Sequence, residues 1–158
     1  MVDIEKHKEQ ARELFLLGYN CAQSVTMAYA DYLAIDKELL SRISISFGAG
    51  FGRQREICGT VSGAGILLGL LYKPTATDVT SSKKEAYEKV QLFSEKFRQK
   101  NGSIICRELL ALGKGESCGT TPEPRTTEYY RRRPCVEYVV DAASIIGQMI
   151  NDELTSHP

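Results

Sequence analysis

Five cysteines are the residues of this sequence best suited to chemistry. They are Cys21, Cys58, Cys106, Cys118 and Cys135, and successive cysteines are 37, 48, 12 and 17 positions apart. No pair has the CxxC spacing that is typical of zinc knuckles and thioredoxin-like sites. Helix bundles nevertheless build sites from side chains on facing helices. A shared thiol site therefore depends on a fold that brings these distant residues together.

Cys58 has the most informative surroundings of the five. It follows the glycine-rich stretch 47–53 (FGAGFGR) and opens a predicted helix, with Arg53 and Arg55 close by. A helix start and nearby cations both favour a thiolate over a thiol. Cys21 and Cys135 also open predicted helices. We therefore expect the pKa values of the Cys21, Cys58 and Cys135 thiols to lie about one to two units below the usual ~8.5.

Composition restricts the class of protein. The chain has 158 residues, enough for one domain, and its 20 basic and 20 acidic residues give zero formal net charge. That balance argues against non-specific nucleic-acid binding. Residues 1–10 lack the apolar run of a signal peptide, so we expect a cytoplasmic protein, where structural disulfides are uncommon. The uncharged stretch 57–72 is shorter than the ~20 residues of a membrane span, so no membrane insertion is expected.

The elements that must position the cysteines are predicted to be helices throughout. Apolar periodicity and capping residues predict helices over 2–17, 21–33, 58–71 and 82–101, another after a cap at Asp36, a short one from Ser103 that carries Cys106, and a last one from Pro134. Ser82 and Glu85 match a capping box for the fourth of these long helices. The fold class is therefore all-α, a single domain over residues 1–158 with six to seven helices.

Glycines within the 58–71 helix predict close packing. Gly59 and Gly63 are four residues apart, as are Gly65 and Gly69. Each glycine in a helix interior lowers helix stability by about 1 kcal/mol relative to alanine. Glycines at these positions are therefore expected where another backbone comes too close for a side chain. This glycine-rich helix is thus expected at the centre of the bundle.

Two other helices are predicted to turn stripes of side chains inward. The stripe of the second helix is Cys21, Val25, Ala28 and Tyr32. That of the last helix is Cys135, Val139, Ala142, Ile146 and Met149. Residues 113–133 are expected to be irregular and to form a lid over the thiols, with Cys118 as a spectator.

A set of ordered motifs links the chain to a known family. They are, in chain order, 18–23 (GYNCAQ), 47–52 (FGAGFG), 58–63 (CGTVSG), Phe97, 102–109 (GSIICREL) and Cys135. In these motifs the chain resembles the C_GCAxxG_C_C family of redox-active proteins, small bacterial and archaeal proteins with four characteristic cysteines. The resemblance covers about residues 5 to 150 and implies four functional positions, namely Cys21, Cys58, Cys106 and Cys135. Thr60 stands where the family pattern has alanine, and Cys118 is additional.

Three functional hypotheses follow. The first is thiol–disulfide or related redox chemistry by a thiol-dependent oxidoreductase. Cys58 would attack, one of Cys21, Cys106 or Cys135 would resolve, and the partner would be a protein or a small thiol. The second, for which a cofactor would be needed, is a zinc or iron–sulfur module using the same four thiolates. The third is a structural helical adaptor, and the tyrosines and the glycine-rich helix also allow a homo-oligomer.

Overall fold

Helices form the regular structure of the part of the chain that a computed structural model describes, residues 1–113 and 119–156, apart from one isolated β-bridge. The helical segments are α1 (Ile4–Leu16), α2 (Cys21–Met27), α3 (Ala30–Leu33), α4 (Lys37–Ser44), the 3-10 turn η1 (Ile45–Phe47), α5 (Gly48–Phe51), α6 (Gly59–Leu71), α7 (Val79–Asn101), α8 (Cys106–Leu109), α9 (Thr127–Arg132) and α10 (Cys135–Ser156). Seven of these α-helical segments in the described ranges are six residues or longer, close to the number predicted. The predicted all-α, single-domain fold is confirmed.

The core lies between the longer helices. Helix α1 packs along α10, α2 crosses α6, and α10 also contacts α2, α6 and α7. On α10 the predicted stripe after Cys135 is buried, namely Val139, Ala142, Ile146 and Met149. Burying an aliphatic side chain of this size contributes roughly 1.5–3 kcal/mol relative to leaving it exposed. This packing fixes the helix that begins at Cys135.

Helix α2 is held at its first turn by the capping residue that the sequence predicts. The Asn20 side chain accepts a hydrogen bond from the Gln23 backbone at 3.0 Å, and the Gln23 side chain accepts one from the Asn20 backbone at 3.0 Å. Reciprocal capping satisfies two backbone N–H groups that a helix start otherwise leaves unpaired. Cys21 is consequently fixed as the first residue of the helix.

The crossing of α2 and α6 explains two of the four glycines in α6. A Cβ on Gly63 would lie 2.8 Å from the Ala22 carbonyl oxygen, so α2 approaches this position too closely for any side chain. Gly59 faces Cys21 in the same way. Gly65 and Gly69 have nothing within 4 Å of the Cβ direction, so the close approach predicted there is wrong. The central place of α6 in the bundle stays a prediction, and no described helix is long and apolar enough to cross a membrane.

The helix predicted over 21–33 is broken into two. Helix α2 ends at Met27 and α3 begins at Ala30, with Tyr29 between them. Tyr29 is fully buried, and its hydroxyl donates to the Ala143 carbonyl oxygen at 2.6 Å, whereas Tyr32 is 43% exposed. The break turns Tyr29 rather than Tyr32 into the core. The predicted inner stripe is therefore wrong at its last position.

Two further helix starts differ from the predicted ones. Helix α7 begins at Val79, because Asp78 caps it by accepting from the Ser81 backbone at 2.8 Å. Glu85, predicted to form the capping box with Ser82, instead accepts from the Thr75 backbone and hydroxyl, both at 2.7 Å. The short helix α8 begins three residues after Ser103, at Cys106 itself.

Candidate functional site

The four cysteines of the predicted site line one cavity of about 430 Å³. Cys58 and Cys106 are buried, and Cys21 and Cys135 are partly buried. The other lining side chains come from the end of α1, the loop after α4, the start of α6, α8, and the segment that leads into α10. Those used below are Phe15, Ala49, Arg55, Gly59, Thr60, Glu123, Arg125, Tyr129 and Arg133. The fold therefore brings together thiols that are far apart in sequence.

Every one of these cysteines lies where a helix begins. Cys58 is the N-cap of α6, while Cys21, Cys106 and Cys135 are the first residues of α2, α8 and α10. The helix starts predicted at Cys21, Cys58 and Cys135 are confirmed, and Cys106 adds a fourth. Four helices thus point their first turns at the same cavity.

A short antiparallel pairing joins the segments that carry Cys58 and Cys106. Ile57 and Ile105 form an isolated bridge, flanked by hydrogen bonds from the Cys58 N–H to the Ile104 carbonyl at 2.8 Å and from the Cys106 N–H to the Glu56 carbonyl at 2.6 Å. Side chains alternate between the two faces of such a pairing. Cys58 and Cys106, each one residue beyond the bridge, consequently leave it on the same face.

Cys21 is held between the glycine-rich loop and α6. The Ala49 backbone N–H donates to Cys21 Sγ at 3.4 Å, and the sulfur fills the space that a Cβ on Gly59 would occupy. Ala49 has φ 54° and Gly50 has φ 74°, so the loop runs through the left-handed region here. Non-glycine residues in that region are strained, and such strain clusters at functional sites. The loop therefore aims a backbone donor at one of the four sulfurs.

Polar contacts also reach Cys58 and Cys106. Cys58 Sγ lies 3.1 Å from the hydroxyl of Thr60, which is completely buried. Arg55 Nη1 lies 3.8 Å from Cys106 Sγ, and Arg55 is itself buried. Donors at these distances stabilise a thiolate more than a thiol.

Burial nevertheless dominates the electrostatics of the thiols. Burial, and then the neighbouring Cys21 thiol, raises the pKa of Cys58 to about 12. Burial also raises the pKa of Cys106, against the lowering effect of Arg55, and raises the pKa of Cys135, with Cys21 adding to the effect. The lowered pKa values predicted from the helix starts at Cys58 and Cys135 are thus wrong. The cavity removes water from the sulfurs, and that cost outweighs the helix starts and the cations.

Residues 119–133 form a strap over the cavity. Arg125 anchors it to the end of α1 and the turn that follows by donating to the carbonyl oxygens of Phe15 at 2.8 Å and Tyr19 at 3.0 Å, and its guanidinium lies 4.2 Å from the Phe15 ring centre. Glu123 accepts from Arg133 at 2.6 Å and from Arg132 at 3.1 Å. The irregular segment predicted over 113–133 is wrong for 127–132, which form α9. Cys118 lies outside the described residues.

Comparison with known proteins identifies the family. A family model described as "Putative redox-active protein (C_GCAxxG_C_C)" matches residues 19–149, which include the four cavity cysteines. The chain belongs to the C_GCAxxG_C_C family. No curated protein and no solved structure matches this C_GCAxxG_C_C protein. The family description gives redox activity as its function and names no reaction or metal.

The same four thiols are the residues of this C_GCAxxG_C_C protein that would hold a metal or cluster. Within 1–113 and 119–156, no three His, Cys, Asp or Glu side chains are grouped as they would be around a metal ion. Thiolates are suitable ligands for zinc and for iron–sulfur clusters, so the donor chemistry fits although the sulfurs are not gathered at one point.

Several residues of the site were missed from the sequence. Thr60 follows Cys58 by two positions, a separation that places a side chain of the first helical turn beside its N-cap residue, so its role had a local signal. Arg125 and Glu123 lie in a segment rich in proline and threonine, and no periodicity indicates which of its side chains turn toward the thiols. The hydrogen bond from the Ala49 N–H to Cys21 Sγ depends on a left-handed backbone conformation at Ala49. The surrounding glycines indicate a turn but do not show that Ala49 itself adopts this conformation.

Proposed function

We propose that this protein carries out thiol–disulfide exchange with Cys21 and Cys58 as its redox pair. The observation that carries the proposal is the placement of Cys21 Sγ against the Cα of Gly59, the residue next to Cys58, in a cavity that all four thiols line. Cys21 is also the first of the neighbouring groups, after burial, to act on the pKa of Cys58. The redox description of the family supports the same chemistry.

The contacts favour Cys21 as the attacking thiol and Cys58 as the resolving one. Cys21 is only partly buried, and the Ala49 N–H donates to its sulfur. Cys58 is 6% exposed, and burial raises its pKa. Attack on a disulfide needs both thiolate character and access. This assignment reverses the order expected from the sequence, in which Cys58 attacks.

The proposed exchange needs only the protein dithiol and a disulfide substrate, RSSR, which is the oxidant. The Cys21 thiolate attacks one sulfur of a disulfide RSSR, which forms a mixed disulfide and releases RS⁻. The Cys58 thiolate then attacks Cys21 Sγ, which forms the Cys21–Cys58 disulfide and releases the second RS⁻. Two electrons pass from the protein to the substrate, and the two protons of the protein thiols pass to the released thiolates. A reducing cytoplasm, the location predicted from the sequence, would return the pair to the dithiol form.

Peptide mapping after mild oxidation tests the pair. We expect one equivalent of diamide to link Cys21 to Cys58 in the wild-type protein and in Cys135→Ser, which is the matched control. Cys58→Ser should abolish that link. Links confined to other pairs would contradict the assignment, and the absence of any link among the four cysteines would contradict the exchange mechanism.

The same preparation distinguishes this proposal from a metal or cluster module. Protein purified without oxygen is expected to be colourless and to have titratable thiols. A brown sample with iron and inorganic sulfide in stoichiometric amounts, or zinc that is retained through dialysis, would replace thiol exchange with metal binding by the same residues.

A further inference from the structure

The cavity indicates what kind of molecule exchanges with the thiols. We propose that the redox partner is a small, negatively charged disulfide or thiol that enters the cavity, and not a protein. This inference rests on the proposed exchange function. Its evidence is the depth of the thiols, the anchoring of the strap and the charge that the strap carries.

The depth of the thiols excludes a folded protein partner while the strap is closed. Cys21, the proposed attacking thiol, is partly buried, and it lines the same cavity as Cys58 and Cys106, which are each 6% exposed. In a disulfide, and so in a mixed disulfide with a partner, the two Cα atoms lie about 4.4–6.8 Å apart. A protein would have to bring its own backbone that close to Cys21, inside a cavity of about 430 Å³. Pockets of roughly 300–1,000 Å³ are the usual size for small ligands.

Two groups of contacts hold the strap over the thiols. Arg125 donates to one carbonyl oxygen at the end of α1 and to one in the turn after it, and lies on the Phe15 ring, as described above. The Arg125 guanidinium also lies 5.1 Å from the ring centre of Tyr129, which belongs to the strap itself. Tyr130 adds a hydroxyl contact to the Leu16 carbonyl at 3.4 Å. A small molecule is the substrate that this arrangement admits.

The strap also gives the cavity a positive wall. The acceptors of Arg125 are backbone carbonyl oxygens, and no carboxylate within residues 1–113 and 119–156 forms an ion pair with it. Glu123 and Arg133 form an ion pair in the cavity wall, so with Arg125 the strap contributes two positive charges and one negative charge to the lining. Arg132 also pairs with Glu123 but does not line the cavity. Burial alone would raise the pKa of Glu123, but the Arg133 and then the Arg132 guanidinium groups lower it below its usual value, so Glu123 is ionised. Cationic walls of low dielectric concentrate anions, so the ligand is expected to carry a carboxylate or a similar group.

The test compares three disulfides under identical conditions. Reduced protein is mixed with 5,5′-dithiobis(2-nitrobenzoate), which carries two carboxylates, with neutral 2,2′-dithiodipyridine, and with insulin as a protein disulfide. Each rate is divided by the rate of free 2-mercaptoethanol with the same reagent. We expect the normalised rate with the dianion to exceed that with the neutral reagent by roughly tenfold at low salt, to fall toward it at 0.5 M NaCl, and to exceed that with insulin by far more.

Two strap variants make the comparison specific. Arg125→Met removes a positive charge that faces the cavity and keeps an unbranched stem, so it should reduce the preference for the dianion and speed the reaction with insulin. Arg131→Met is the matched control, because Arg131 lies on α9 of the same strap, is exposed and does not line the cavity. The preference should be unchanged in that control. If Arg125→Met does not fold, the salt dependence of the wild-type rates alone tests the preference for the dianion.

The outcomes separate this inference from the exchange function. Equal normalised rates for the two small reagents would overturn the anionic preference. Reduction of insulin at the normalised rate of the small reagents would overturn the exclusion of proteins. In both cases the Cys21–Cys58 disulfide would still form. A protein that reacts with none of the three and never forms that disulfide would overturn the exchange function itself.

Discussion

Replacing Thr60 with valine should make Cys58 a poorer nucleophile. The Thr60 hydroxyl lies 3.1 Å from Cys58 Sγ and is completely buried, so no water replaces it when it is removed. A thiolate has no proton to share, so the hydroxyl must be the donor once Cys58 is ionised. Valine keeps the branched shape at this position and removes the donor alone.

The size of the effect follows from the strength of such a bond. A hydrogen bond to a charged group contributes about 1.5–3 kcal/mol, and one pKa unit is equivalent to about 1.4 kcal/mol, so the pKa of Cys58 should rise by about one to two units. A thiolate of higher pKa is also intrinsically more nucleophilic, with a Brønsted coefficient of about 0.4–0.5 that offsets nearly half of the loss. The observed rate at fixed pH should therefore fall by about 3- to 15-fold.

The assay is alkylation of the reduced protein by iodoacetamide between pH 8 and 10, with the modification of Cys58 quantified by peptide mass spectrometry. Cys106 in the same digest is an internal control, because Thr60 is not in hydrogen-bond contact with its sulfur. Thr60→Ser is the matched control and should retain most of the wild-type rate. A Cys58 profile that is the same in Thr60→Val and wild type, or an equal loss in Thr60→Ser, would refute the reasoning.

Two further predictions concern stability. Gly59→Ala should destabilise the protein to urea by about 1–3 kcal/mol, because the new Cβ would overlap Cys21 Sγ and lie 3.0 Å from the Phe47 carbonyl oxygen. Gly65→Ala has open space at the same point and should stabilise α6 by up to about 1 kcal/mol, so equal effects would contradict the packing argument. Burial raises the pKa of Cys58 to about 12, so the folded thiol keeps its proton to higher pH than the unfolded one. The resulting stability is fully present below about pH 8.5 and is lost progressively as the pH rises toward about 12. Urea unfolding at pH 8.5 to 10 should show the free energy of unfolding falling as pH rises, and the slope should be shallower in Cys58→Ala by up to about 1.4 kcal/mol per pH unit; identical slopes would contradict the burial of this thiol.

The helices and the gathering of the cysteines were accessible from the sequence. Asn20 and Asp36 cap the helices predicted for them, because a capping bond involves residues only three positions apart. Ser82 and Glu85 are a case in which prediction from local spacing fails. Their spacing fits a capping box, but Thr75 lies in a loop that can reach Glu85, and the helix begins a turn earlier at Asp78.

The glycines of α6 show a similar limit. A sequence contains the four glycines but not the path of the helix that crosses them. Gly59 and Gly63 face α2, whereas Gly65 and Gly69 face nothing within 4 Å. The point where two helices cross decides which glycines are required for their close approach. Periodicity within one helix does not show where that crossing point lies.

The direction of the pKa shifts at Cys58 and Cys135 was predicted wrongly for a related reason. A favourable charge at a helix start is stabilised by about 0.3–1 kcal/mol when exposed and by up to about 2 kcal/mol when partly buried, which is at most about 1.5 pKa units. Burial can shift a pKa by as much as about 3–5 units in the opposite direction. Helix starts are visible in the sequence, but the depth of a cavity is not, since the strap that closes it has no periodic pattern. Burial, the larger of the two effects on the thiol pKa values, was therefore the one that could not be predicted from the sequence.

The burial of protonated thiols has a consequence for the first step of the proposed thiol–disulfide exchange. Burial raises the pKa values of Cys58, Cys106 and Cys135, so these three thiols keep their protons at neutral pH. The proposed exchange therefore assigns the first attack to Cys21, which is partly buried and whose sulfur accepts from the Ala49 N–H. Once Cys21 is joined to a substrate, Cys58 loses a neighbouring thiol whose presence raises its pKa. In the proposed exchange the first step thereby lowers the cost of ionising the thiol that completes it, which gives the two attacks a fixed order.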